Sequence, residues 1–175
     1  MLLRSAEPED ALAVARVHVR AWRAAYRSLL PDRYLDDLRA EDRAKVYDFT
    51  HSDPSKPQTI VAVEAGLIQG FASIMPYRGA DLKEFGELCA LYVDPEYWGR
   101  GMGATLISAA RARLLASGFD RAALWVLDGN VRAHRFYRMD GWIPDGERRA
   151  ETAWGVVVNE SRYKRRLTNR PTQEG

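Results

Sequence analysis

The chain opens on a short apolar stretch, Leu2 to Ser5, that reads as a strand. Glu7-Pro8-Glu9-Asp10 follows with the marks of a helix start: Ser5 or Ala6 near the cap, proline in the first turn, and acids at the positive end of the dipole. Leu12, Val14, Ala15, Val17, Val19, Ala21, Trp22 and Ala25 fit one amphipathic helix loosely. Leu29-Leu30-Pro31-Asp32 breaks it, and Arg33 to Val46 predicts a second, shorter helix. Thr50 to Gln58, with Pro54 and Pro57, reads as a loop.

The period then changes. Thr59–Glu64 and Leu67–Pro76 are rich in Val, Ile and Phe, and Ala65-Gly66 between them predicts a tight hairpin turn. Tyr77 to Lys83 is a polar loop, and Phe85 to Val93 is a third long strand. From Gly101 to Ser117, apolar residues recur at helical spacing up to the stop at Gly118. Ala122–Leu127 predicts a strand, Asn130–Met139 a helix closed by Gly141, and Trp142-Ile143 and Val156–Leu167 the last strands. The order is βααβββαβαββ, a mixed α/β domain over residues 1–167 with a tail at 168–175.

Composition narrows this picture by exclusion. At 175 residues the chain suits one domain of about 100–200 residues that needs no disulfide or metal staple. A single cysteine excludes an intramolecular disulfide and argues against a Cys-based zinc site. His18, His51 and His134 are scattered without ligand spacing, so no metal is expected. Lys and Arg number 26 against 24 Asp and Glu, a net charge of +2 that predicts no nucleic-acid partner. The first ten residues turn acidic with no signal-peptide core, and no apolar run reaches a membrane span. The expectation is a cytoplasmic protein with Cys89 reduced.

The informative segment is Leu88–Leu106, LCALYVDPEYWGRGMGATL. A strand ends before Pro95, and Gly99, Gly101 and Gly103 open a helix. Glycines let the backbone turn tightly and let a ligand approach the amides. The helix start offers unpaired N–H groups and a positive dipole end, which together bind phosphate. The bland alternative is a glycine-rich turn without a ligand. Gly99-x-Gly101-x-x-Ala104 also meets the loose dinucleotide fingerprint, but Asp120 lies at the wrong end of the next strand to reach a ribose. No G-K-[ST] ending follows, so this is not a Walker A loop.

These residues resemble the GNAT family of acyl-CoA-dependent N-acetyltransferases. Its motif [Q/R]-x-x-G-x-[G/A] is matched at Gly101 and Gly103, with Trp98 where Gln or Arg is usual. A second family motif, N-x-x-A-x-x-F-Y-x-x-x-G-[FW], is matched in full by Asn130, Ala133, Phe136, Tyr137, Gly141 and Trp142. The resemblance spans roughly Leu3 to Leu167. It implies a mixed, mostly antiparallel sheet flanked by helices, with a central V-shaped splay between the Leu88–Val93 and Ala122–Leu127 strands. Acetyl-CoA, the co-substrate, would lie in that splay. Leu91 and Val93 would pair with pantetheine as though it were an added strand, with Tyr92 between them also at the cofactor, and Gly99, Arg100, Gly101, Met102, Gly103 and Ala104 would cradle the pyrophosphate. Asn130, Ala133, Phe136 and Tyr137 would face the cofactor from the following helix, and a homodimer is compatible with the family.

The reaction so implied moves an acetyl group to a primary amine of a small molecule or peptide by direct attack in a ternary complex. It needs a neutral amine, a donor to the oxyanion, and a proton for the leaving thiolate. A backbone N–H near Leu91 or Tyr92 is the expected oxyanion donor. Tyr137 matches the family tyrosine that meets the sulfur and is the candidate acid; the alternative is a core aromatic paired with Phe136. Asn130 also suits a helix N-cap. Glu87 is the candidate base, sharing by strand alternation one face with Cys89, Leu91 and Val93; the alternative is an exposed strand-end carboxylate. Cys89 reads as core. Trp22, Tyr26, Leu30 and Tyr34 are candidates for an aromatic acceptor wall, although such a stripe also suits a core. Asp81, Glu84 and Glu87 would attract a cationic amine or form a solvated acidic loop. Arg162, Lys164, Arg165 and Arg166 read as a solvent face. The competing functions are a non-catalytic acyl-CoA-binding regulatory module and a nicotinamide dinucleotide enzyme.

Overall fold

In the computed structural model, which describes residues 1–168, the apolar runs become a seven-stranded sheet. Its strands are β1 (Leu2–Ser5), β2 (Gln58–Glu64), β3 (Leu67–Pro76), β4 (Gly86–Val93), β5 (Arg121–Leu127), β6 (Ile143–Ala153) and β7 (Val156–Arg166). The helices are α1 (Ala11–Ala25), α2 (Asp32–Asp37), α3 (Ala40–Ala44), α4 (Met102–Ala116) and α5 (Val131–Met139). Strand order is β1-β2-β3-β4-β5-β7-β6, antiparallel throughout except for β4 against β5. The tail expected from 168 onward lies, apart from Thr168, outside the described residues.

Strand alternation sends successive side chains to opposite faces. Ile60, Ala62, Ala72, Ile74 and Leu88 meet Met102, Leu106, Ile107, Ala110 and Leu114 of α4 in the main core. On the other face Val61 and Phe71 meet Val14 and Val17 of α1. The two helices thus cover opposite faces of the same strands, and whatever lies between β4 and β5 is reached from both.

Three expectations are corrected. The α1 entry is capped at Glu7, not at Ser5 or Ala6: the Asp10 carboxylate accepts the Glu7 N–H at 2.8 Å, with a 3-10 turn over Pro8–Asp10. Arg4, hydrogen-bonded to Asp10, holds that carboxyl below its ordinary range. Next, Arg33–Val46 is two short helices, because Leu38 and Arg39 adopt extended backbone. Arg23 of α1 compensates the break by donating to the Leu35, Asp36 and Leu38 carbonyls at 3.0, 3.2 and 2.8 Å. Finally, the strand expected at Trp142-Ile143 continues to Ala153. β6 is an edge strand with mostly exposed residues, so it carries no apolar alternation. Asp145-Gly146-Glu147 loops out of register, and Trp154-Gly155 closes the hairpin with φ +50° and +79°.

Candidate active site

β4 and β5 pair at only two positions, Gly86 with Ala122 and Glu87 with Ala123. Beyond them the strands part, and a cavity of about 440 Å³ occupies the opening. Its walls come from both strands, from the N-terminal ends of α4 and α5, and from the C-terminal end of α1.

The α4 end is a set of free amides. Gly99 and Gly101 have φ of +75° and +84°, a conformation that costs an L-residue about 1–2 kcal/mol, and a Cβ on either would meet nothing within 4 Å. The helix begins at Met102, and its first internal bond runs from Thr105 N–H to the Gly101 carbonyl at 3.0 Å. The N–H groups of Met102, Gly103 and Ala104 therefore have no intrahelical acceptor. At α5 the situation differs: Asn130 is its N-cap, its Oδ1 accepting from Ala133 N–H at 3.2 Å, and Val131 N–H is bonded to Gly129 at 2.9 Å. The anion-ready terminus is that of α4.

Of the residues expected to hold the cofactor, Leu91, Tyr92, Val93, Gly99, Gly101, Gly103, Ala104, Asn130, Ala133, Phe136 and Tyr137 all line the cavity. Two side chains do not. Met102 is buried in the main core, leaving only its amide for the loop. Arg100 is exposed, its guanidinium 5.2 Å from the Tyr97 ring centre. Trp98, which departs from the family pattern, donates from Nε1 to the Val93 carbonyl at 2.8 Å. That bond lays the indole beside the end of β4, and the Arg132 guanidinium rests 3.5 Å above its ring.

A β-bulge corrects the expected face of β4. Ser73 pairs with Ala90 and Ile74 with Leu88, so Cys89 is the extra residue. The alternation slips there: Leu88, Leu91 and Val93 pack on the α4 side, whereas Ala90 and Tyr92 pack on the α1 side. Glu87, opposite in sense to Leu88, no longer shares a face with Leu91 and Val93. The Cys89 thiol donates to the Ser73 carbonyl at 3.1 Å, and burial pushes it up to about 12, an unreactive thiol.

Glu87 lines the cavity but is 2% exposed, and both of its oxygens accept hydrogen bonds. Arg78 donates from Nη2 to Oε1 at 2.8 Å, and from Nε and its backbone N–H to Oε2 at 3.2 Å each. The other two acids of the expected amine-attracting group are also paired, Asp81 with Arg162 and Glu84 with Arg121. Arg162 is not a solvent-face residue: it is 4% exposed and bonded to Asp81, Asp145 and the Tyr77 hydroxyl. Tyr137 packs edge-on to Phe136 and Trp142. Burial, with help from the Tyr92 hydroxyl and the Asp140 carboxylate, keeps its phenol protonated well above its ordinary range.

The expected acceptor wall is only partly assembled. Tyr26 lines the cavity, and burial and the Tyr92 hydroxyl raise its own phenol. Trp22 instead packs on Tyr26 and Trp154, and Tyr34 donates to the Trp154 carbonyl at 2.9 Å, tying α2 to the β6–β7 turn. The wall contains residues that the sequence reading missed: Arg78, Trp125, Arg149 and Glu160. Arg149 and Glu160 are cross-strand partners on β6 and β7, which carry no motif, so no pattern in the chain pointed to them.

Residues 19–142 match the model of the acetyltransferase (GNAT) family. The chain belongs to the GNAT family. It is 33% identical over 128 residues to the uncharacterized N-acetyltransferase YuaI of Bacillus subtilis (strain 168), covering 73% of this chain and 72% of that one. Among solved structures it superposes on the PaiA N-acetyltransferase of Thermoplasma acidophilum, in complex with coenzyme A. The TM-score is 0.71 at 18% identity, over 94% of this GNAT chain and 98% of that one. The putative acetyltransferase yncA of Salmonella typhimurium, with acetyl-CoA, gives 0.70 at 19% identity, over 98% and 96% of the two chains. At such identities the likeness establishes the fold: an open mixed sheet with flanking helices.

Proposed function

We propose that this protein transfers the acetyl group of acetyl-CoA to a primary amine of a small molecule or peptide, by direct attack in a ternary complex. The observation that carries this reading is one continuous cavity joining the unpaired amides at the start of α4 to the parted edges of β4 and β5. Acetyl-CoA, when bound, supplies an activated thioester. The amides of Met102, Gly103 and Ala104 hold its phosphates, and Gly99 and Gly101 let them come close. The edge of β4 at Leu91–Val93, unpaired with β5 and with its Val93 carbonyl bonded to Trp98, orients pantetheine, and an N–H at Leu91 or Tyr92 meets the oxyanion, a contact worth ~10²–10³ in rate. Tyr137, kept protonated by burial, gives its proton to the departing sulfur. Tyr26 and Tyr92 wall the acceptor side. The lone reduced cysteine suits a cytoplasmic setting.

One observation favours a second reading. Both oxygens of Glu87 accept from Arg78, which stabilises the ionised carboxylate, makes it a weaker base and suits a non-catalytic acyl-CoA-binding module. The two are separated by following thiol release from acetyl-CoA across a panel of primary amines. Turnover on any amine establishes the transferase; binding of acetyl-CoA with no turnover on all of them establishes the module.

A further inference from the structure

Glu87 is not the only carboxylate in the cavity wall. Glu160 lies on β7, opposite Leu127 of β5 and Arg149 of β6, and all three line the cavity. Its side chain is 17% exposed. Arg149 Nε donates to Oε2 at 2.7 Å, and among the described residues nothing hydrogen-bonds to Oε1. Arg149 is itself fixed, its guanidinium 4.3 Å from the Trp125 ring centre.

The local charge balance distinguishes the two carboxylates. Glu87 is paired with Arg78. Arg149 is shared between Glu160 at 2.7 Å and the half-exposed Glu151 at 3.6 Å, and Glu151 also acts on Arg78, so these three carboxylates and two guanidinium groups carry one negative charge in excess. The groups around Glu160 are Arg149 and Glu151 from β6, Trp125 from β5, Tyr26 at the end of α1 and Tyr92 on β4. Its charge reaches both tyrosine hydroxyls and disfavours their ionisation. Tyr137 stands beyond Tyr92, close enough to feel that hydroxyl. Tyr26, Tyr92, Tyr137 and Glu160 all line the same cavity, so an acceptor there meets both a carboxylate and a phenol.

We infer that Glu160, not Glu87, receives the acceptor's ammonium and takes its proton, and that the acceptor is an aliphatic amine charged at neutral pH. This rests on the acetyl-transfer reading above. An ammonium loses two protons on becoming an amide. Oε1 of Glu160 takes the first and passes it to solvent, freeing the nitrogen lone pair. As the C–N bond forms and the C–S bond breaks, Glu160 takes the second, and Tyr137 gives its own proton to sulfur. Tyr137 is reprotonated from solvent, and one proton is released overall.

The test compares wild type with Glu160→Gln on an alkylamine and its progressively β-fluorinated analogues, whose ammonium groups are increasingly acidic, with thiol release as the readout. Gln keeps an oxygen for Arg149, and a melting curve with acetyl-CoA monitors folding and cofactor binding. The expected result is a fall in kcat/KM of about 10²-fold or more on the parent amine. The deficit narrows along the series without vanishing, because an amine that is already neutral skips the first deprotonation but still gives its second proton to Glu160. Glu160→Asp, which keeps the charge, restores part of the rate on the parent amine, and it reports independently if the Gln variant does not fold. No deficit, a deficit uniform along the series, or an Asp variant as impaired as Gln throughout overturns the assignment while leaving the transferase reading intact. Failure of wild type to acetylate any amine overturns the reading and the assignment together.

Discussion

His18 makes the stability of this protein sensitive to mild acid. The ring is 4% exposed, stacked on Tyr92 at 4.3 Å between centroids and flanked by Trp154 at 4.5 Å. Nδ1 shares a hydrogen bond with the Tyr47 hydroxyl, while Nε2 is buried without a partner. Among the described residues no carboxylate is bonded to it. Burial, and secondarily the nearby Arg43 cation, lower its affinity for a proton well below the usual 6.5. The native ring therefore stays neutral, while the unfolded chain takes up a proton as pH falls through about 6.5. Stability is fully present above that value and declines below it by about 1.4 kcal/mol per pH unit, until the folded ring also titrates. From about pH 7.5 to about pH 5 the loss is about 2 kcal/mol, or roughly 4–8 °C in the melting midpoint of a domain this size. Urea unfolding of wild type and His18→Asn at both pH values measures it. Carboxylates such as Asp10 and Asp145, held low by Arg4 and by Lys164 and Arg162, are common to both proteins and cancel in the difference. The variant should lose about 2 kcal/mol less than wild type over this range; parallel pH dependences would refute the argument.

Three further outcomes follow from the site. Arg78→Gln strands the buried Glu87 carboxylate and should cost about 3 kcal/mol, whereas Glu87→Gln frees a half-exposed guanidinium to water and should cost about 1 kcal/mol; equal losses in urea unfolding would contradict the burial argument. Gly101→Ala and Gly118→Ala place a Cβ at comparable positive φ with open space around each, so both should lose about 1–2 kcal/mol. Only the Gly101 variant should weaken acetyl-CoA binding by calorimetry, since Gly118 lies at the far end of α4; equal binding by both variants would remove the loop from the site. Tyr137→Phe should lower turnover by about 10²-fold or more with acetyl-CoA affinity retained, and unchanged turnover at saturating substrates would remove its role as acid.

The legible part of this protein is the part governed by local rules. The hairpin at Ala65-Gly66, the glycine run into α4 and the Asn130 cap announce themselves because turn chemistry and helix termini depend on neighbouring residues. Arg33–Val46 reads as one helix because nothing in that segment reveals that Arg23, ten or more residues earlier, stands ready to satisfy the carbonyls of a break. The bulge at Cys89 was invisible for a similar reason. Strand alternation assumes regular pairing, and only the opposing β3 register inserts the extra residue that turns Glu87 away from Leu91 and Val93.

The chain by itself determined a mixed α/β fold, the family, and a glycine-led helix N-terminus, all properties of contiguous segments. Tertiary structure alone decided which carboxylate keeps an oxygen without a hydrogen bond among the described residues. Both oxygens of Glu87 accept from Arg78 in the loop before β4, whereas only Oε2 of Glu160 is bonded, to Arg149, where β6 and β7 carry the pair to the splay. The physical reason is that a carboxylate's availability depends on its hydrogen-bond partners and burial, and those come from segments far apart along the chain.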